Sequence, residues 1–560
     1  MGSALAAAMS RMDGAMSDMR ATGNPDADFA RMMIPHHLGA IDMAKAELLY
    51  GHDRRLRRLA QEIIVTQGAE VDVMRAALRN TTDQPQPALA ITGSRIALAG
   101  QVPGAATASD TPVSARDRVY LSDQTSNTIS VVDPSTNLLL GTIPLGANLP
   151  GNLSPLYKGQ LLVHGMGFSP DHRTLDVVSV GSNAVTFIDT QTNTVKATTY
   201  VGRSPHEAFF TADGKEVWVT VRGENYLSVL SGTTYKETSR IPVPDGPGMT
   251  IFSADGRLGF VCSSFTPETV AIDRATHRIV GRIEQPSPFC PDLAATPDGT
   301  QVWETLKDTG RVLVFSAKAP FERIAVLETG PITNHVNIVR NAKGQFAYVT
   351  IGGLNEVKVF TTDAAPKLVA TIPTGALPHG LWPAGDGSRI YVGLENADAV
   401  AAIDTLTNTV IVTIPSGQSP QGMVYVPNAV TSGDGRANLV PLGDVGNAVH
   451  LQLGDVGGPV RSTATLNSQG LIDLLEVAVT GLTPKTPYVL ALAAKADGSG
   501  PLQALATFMT NLAGAQIVTA LGPLRAVVGV GTNADDRRYL VVAASVSGKP
   551  GTVIQVERTE

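Results

Sequence analysis

A multidomain, mainly β chain is predicted, built on a seven-bladed β-propeller with an α-helical domain before it and a β-sandwich after it. Three observations predict it. Residues 117–427 repeat with a period of about 42 to 45 residues. Nine of the thirteen methionines fall in residues 1–80, where apolar residues recur at helical spacing. Residues 430–560 lose the period but keep alternating apolar strands such as "YVLALAA" and "RYLVVAASV" between Gly and Pro turns, which reads as a compact β-sandwich. Composition agrees: 43% hydrophobic and 17% charged residues with 55 glycines and 36 prolines in 560 residues favour turn-rich β structure and more than one core.

In residues 1–80, Met9, Met12, Met16 and Met19 share one face of a first helix running to about Arg20. "TGNPDAD" supplies turn and N-cap residues for a second helix through Tyr50, kinked or restarted at Pro35 by the missing N–H. Gly51 closes it, and Leu56, Leu59, Ile63, Val71 and Met74 mark a third amphipathic helix. Residues 81–116, rich in Pro, Ala, Gly, Ser and Thr without periodicity, form a linker.

Each repeat holds an apolar strand, an Asp-Gly turn, a "YVT"-type strand, a polar turn, a strand ending in "ID" and a fourth strand after a "TxTN" turn. Four short strands per unit of this length are a propeller blade. The first unit, "DRVYLSDQTSNTISVVDPSTNLLLGTIPLG", lacks an inner strand, while the last, "SPQGMVYVP", is an inner strand alone. Joined, they make the seventh blade and leave no open sheet edge.

The formal net charge of −7 gives no basic surplus, so nucleic acid is excluded as a partner. No stretch reaches the roughly 18 apolar residues of a membrane span. The start, "MGSALAAAM", lacks a basic segment before its small apolar run and reads as an engineered or processed start, not an intact signal peptide. Only Cys262 and Cys290 are present; they form one bridge, or Cys290 serves as a metal ligand.

The segments "DADFARMMIPHHLGAIDMAKAEL" and "LAQEIIVTQGAEVDVM" closely resemble the bacterial ferritin-like family called domain of unknown function 305. That resemblance implies a four-helix bundle, completed by a partner copy in a homo-oligomer, and copper binding. "NHVNIVRNAKGQFAYVTIGGLNEVKVF" resembles the "YVTN" propeller repeats related to the propeller of nitrous oxide reductase. This resemblance implies a periplasmic or secreted protein, among relatives that include scaffolds, lyases and metal enzymes.

Two candidate metal sites follow. In "RMMIPHHLGAIDMA", Met33 and His37 are four apart and His36 and Met43 seven apart, each pair on one helical stripe. Thioether and imidazole are the ligands reduced copper prefers, although methionines also fill the cores of small bundles. In the propeller, residues at the start of each inner strand ring the axis, which places His164, His206, Gly248, Cys290, His335, His379 and Gln421 together. Five of these seven are residue types that ligate transition metals. Counted back from the turn residue, Cys290 and His335 stand one residue farther out than the other histidines. Either those two blades carry a bulge, or Pro291 and Val336 take the ring positions. Glu207 and Asp292, beside the ring, suit general bases or groups that orient the ligands. The expectation is an extracytoplasmic copper-binding protein, an oxidoreductase acting on a small molecule at the propeller axis. Zinc is the less favoured metal; copper sequestration without catalysis and a metal-free lyase or scaffold are the alternatives.

Overall fold

The computed structural model describes residues 9–10, 12–16, 22–52, 112–146, 162–443, 448–468, 473–528 and 536–558, with single residues between 60 and 78. Two compact units are present, residues 1–98 and 99–560.

In the first unit, Pro25–Tyr50 is one helix with Pro35 inside it. The Asn24 side chain caps its start by accepting the Ala27 N–H at 3.2 Å. Residues 12–16 are helical, and Met12 packs where only the hydrogen of Gly39 leaves room. Ala60, Val71, Met74 and Leu78 are helical too, and Ala30, Val71 and Met74 form a small core with Met33 and Ile34. The remainder of the expected third helix and most of the expected linker lie outside the described residues. No described helix is long and apolar enough to cross a membrane.

The second unit contains seven four-stranded antiparallel sheets, six of them three hairpins in succession, which are the seven blades. Their inner strands are Val163–Phe168, Pro205–Phe210, Pro247–Phe252, Leu293–Ala295, Thr333–Asn341, Pro378–Pro383 and Pro420–Val426. The seventh is composite, as the sequence predicts: Pro420–Val426 pairs with Arg118–Asp123, placing Val424 opposite Tyr120.

The repeat's turn signature has a local cause. In "IDTQTN", the Asp189 carboxylate accepts the Gln191 and Thr192 N–H groups, and Asn193 takes the left-handed conformation at φ 56°. "IDTLTN" repeats this with Asp404 and Asn408, whereas the third blade places His277 at the same position at φ 55°. Apolar side chains of neighbouring blades interlock: Val178 and Phe187 of the first pack on Ala208 and Val217 of the second, and the fully buried Trp218 packs on Val261 and Val270 of the third.

After the propeller the strands form one eight-stranded antiparallel sheet, not the two packed sheets expected of a sandwich. It encloses a core of its own that includes Leu453, Leu466, Val477, Leu490 and Val542. Alternation showed where the strands lie but not how many sheets they make. This sheet sits on the fifth and sixth blades through Ile332, Leu377, Ala478 and Ala515, and reaches the fourth where the Ala513 N–H meets the Asp308 carbonyl at 3.2 Å.

Candidate metal centre and its chamber

In six of the seven blades the register slips where the inner strand begins, for example between Pro205 and Ala208. A bulge there suspends the strict alternation of faces, so two consecutive residues turn toward the axis. Equivalent positions are fixed by one repeated contact. The threonines Thr220, Thr305 and Thr350 accept the N–H groups of Glu207, Asp292 and His335 at 3.0, 3.1 and 2.9 Å. Glu207, Asp292 and His335 therefore share one level, and His164, His206, Pro291, Asn334, His379 and Gln421 share the level before it.

The expected ring is corrected at two places. Cys290 is bonded to Cys262 in a disulfide, so it offers no thiolate, and Pro291 takes its ring position. His335 stands one level beyond Asn334, and neither it nor Val336 is at the ring position. The fifth blade's first hairpin is two residues longer, Val336 pairing with Val349 where Ala208 pairs with Val219, so counting from the turn glycine misplaces it.

His335 still joins the cluster. Its ring centre lies 4.6 Å from that of His379; His164 lies 5.9 Å from His379 and 4.3 Å from His206. The inner strands approach this closely because Gly165, Gly380 and Gly422 carry no Cβ, which would collide with the carbonyls of His206, Gln421 and His164.

His164, His206 and Glu207 each bring a ligand atom within 4.8 Å of the others, and all three residues are buried. A point within about 2.8 Å of all three atoms therefore exists, and zinc-type bonds to imidazole and carboxylate span about 2.0–2.2 Å. Glu207 Oε1 lies 3.6 Å from His164 Nδ1 and 3.8 Å from His206 Nδ1. His164 Nδ1 and Glu207 Oε1 are buried without a hydrogen-bond partner, which is costly unless something else meets them. His206 and His379 donate from Nδ1 to the carbonyls of Gly248 and Gln421 at 2.8 and 3.1 Å, the outer contact that leaves Nε2 bare for an ion. On the opposite side, Asp292 Oδ2 accepts the Val336 N–H at 2.8 Å and lies 3.6 Å from His335 Nδ1.

Burial sets the charge state. It holds His164 and His335 down at about 3, and lowers His206 and His379 well below the ordinary imidazole value. Burial also pushes Glu207 up to about 8 and Asp292 well above the carboxylate range. The imidazoles are thus in their ligating, neutral form, and the two acids are anions in waiting for a cation.

His164, His206, His379 and Gln421 border a cavity of about 1010 Å3, whose wall is completed by Asn511, Gln516 and Ile517 of the C-terminal sheet. Glu207, Asp292 and His335 border a second cavity of about 150 Å3 among Met166, Met249 and Trp382. The centre thus lies between a large chamber and a small pocket. Arg222 and Lys307, which no motif singles out, also line the chamber. Their one signal in the sequence is that each stands two residues after the equivalent threonine of its blade, Thr220 and Thr305.

In the first unit, His36 and His37 are adjacent on the helix with ring centres 5.8 Å apart. His36 is exposed, while His37, Met33 and Met43 are half-buried, Met33 against the small core.

Residues 2–110 match the model of a domain of unknown function, DUF305. A DUF305 domain therefore precedes the propeller. No curated protein matches the chain. Among solved structures, the chain is similar to the Kuenenia stuttgartiensis hydrazine synthase, at 19% identity and TM-score 0.44 over 51% of this chain and 92% of that one. It is also similar to the Pseudomonas aeruginosa periplasmic gluconolactonase, at 17% identity and TM-score 0.45 over 55% and 99%. A functionally unknown protein from Desulfotomaculum acetoxidans gives 14% identity and TM-score 0.47 over 55% and 98%. None of these likenesses bears on the chemistry of this chain.

Proposed function

We propose that the chain is a metal-dependent enzyme whose centre on the propeller axis is held by His164, His206 and Glu207, with His379 and His335 beside them. One observation carries the reading: partnerless buried atoms of His164 and Glu207 meet, with His206, beside a large chamber. An ion there supplies Lewis-acid or redox chemistry. Asp292 and His335 hold and move a proton on the far side, the pairing expected of a base and its orienting group.

The finer form of the reading is a copper oxidoreductase outside the cytoplasm, with the Met- and His-bearing helical domain as a ferritin-like copper-loading module. The Cys262–Cys290 bond supports an oxidising compartment. Imidazole with carboxylate suits copper(II) and also zinc. Elemental analysis with an absorption spectrum of the purified full chain tests the reading. The expected result is about one equivalent of copper, lost in the His206→Ala, His379→Ala double variant. Zinc in that place would keep the metal enzyme and end the copper form. Metal unaffected by the double variant would favour sequestration in residues 1–80 and end the axial centre.

A further inference from the structure

Arg222 and Lys307 are cations without a direct ion pair: Asp308 acts on both, and Glu395 and Glu476 on Lys307, without closing a salt bridge to either. They occupy the same repeat position, one residue after the strands Glu216–Val221 and Gln301–Leu306. Both are half-buried in the chamber wall. Among the described residues neither makes an ion pair within 4.0 Å or a side-chain hydrogen bond. The Arg222 guanidinium instead lies 4.8 Å from the centre of the Phe289 ring, which holds its plane in place. Each lowers the imidazoles below, Arg222 acting on His164 and His206, Lys307 on His164, His335 and His379.

The acids nearby are otherwise engaged. Asp308 bonds to the Asn511 side chain, whereas Glu395 accepts Gln421 Nε2 and faces Glu476 of the C-terminal sheet. Burial raises Glu395 well above the carboxylate range and raises Glu476 and Asp308, which weakens their negative charge. Two like charges lining one cavity repel, Arg222 lowering Lys307, and burying a charge without a direct partner is costly. A bound oxyanion would complete such a pair through charge-assisted hydrogen bonds.

We propose that Arg222 and Lys307 form the anion-binding end of the chamber, and that its occupant is a small organic acid held there by a carboxylate or phosphate group. Arg222 supplies a planar fork matched to either oxyanion, and Lys307 a point charge beside it. That the rest of the molecule then meets the histidine centre rests on the metal-enzyme reading; the anion site itself does not.

The test uses the full chain freed of metal and dialysed free of chelator, at constant ionic strength. Malonate, inorganic phosphate and the neutral malonamide are titrated by calorimetry. Saturable binding of malonate or phosphate and none of malonamide is expected, and the tighter of the two names the group. Arg222→Gln and Lys307→Met are each expected to weaken that binding by about tenfold or more, the loss of one charge-assisted contact. Arg222→Lys restores part of it. Cooperative melting of each variant checks that it is folded. His206→Ala, which removes metal, should leave anion binding in place, so the two readings fail separately. Equal affinity in the folded Arg222→Gln and Lys307→Met variants, equal binding of malonamide, or no saturable binding of either anion would overturn the proposal.

Discussion

Replacing Glu207 with glutamine should move metal affinity and stability independently of each other. The carboxyl is buried, its Oε1 has no hydrogen-bond partner, and burial keeps it protonated to about pH 8. In the metal-free protein the amide therefore exchanges one neutral group for another of the same shape. The change in stability at pH 7 should stay within about 1 kcal/mol. With an ion bound the same substitution removes a full negative charge. At an effective dielectric of 20 a unit charge pair about 4 Å apart is worth about 4 kcal/mol. Desolvating the carboxylate takes back part of this. The net loss is about two to three orders of magnitude in affinity, at about 1.4 kcal/mol per factor of ten. Competition with a chromophoric chelator gives the affinity, and urea unfolding of the metal-free protein gives the stability. Unchanged affinity would show that Glu207 does not touch the ion. A loss of more than about 2 kcal/mol in the metal-free protein would instead make it a structural group.

Three further outcomes follow from the same geometry. Replacing both Cys262 and Cys290 with alanine opens a loop of sequence separation 28 and should cost about 3–4 kcal/mol in urea unfolding without changing metal content; lost metal would return Cys290 to the ligand set. Gly165→Ala places a methyl group against Glu207 and the His206 carbonyl, and should cost about 1–3 kcal/mol and weaken metal binding; metal affinity as in the parent would show that the inner strands have room to spare. Asp123 and Glu304 are pushed up to about 8 by burial, so each favours the folded state fully below its unfolded value near 4 and loses that contribution as pH rises toward 8. The urea midpoint should fall between pH 5 and 8.5, less steeply in Asp123→Asn, and parallel curves would refute the assignment.

Much of this was legible because the period did the work. Blade number, the composite seventh blade and the convergence of His164, His206 and His379 all follow from strand positions one repeat apart. His335 was placed at the wrong level because the fifth blade's longer hairpin shifts the turn glycine used as the ruler. Cys290 stays open between ligand and bridge in the sequence because sulfur serves as either, and only the proximity of Cys262 decides. Arg222 and Lys307 escaped notice because nothing in a lone basic residue after an apolar strand marks it as unpaired. That fact belongs to the neighbouring blades and the C-terminal sheet. The second sheet of the expected sandwich failed similarly, since alternation records a strand's two faces and not its partners.

The composite blade also fixes an order of events during synthesis. Three of its strands leave the ribosome before any complete blade, and the strand they await, Pro420–Val426, is made about 300 residues later. Until then Arg118–Asp123 has a bare edge, and His164 lacks the Gly422 neighbour that seats its carbonyl. The nascent chain therefore has no finished pocket to fill, and any ion it captures at the axis must arrive after translation has passed the last repeat.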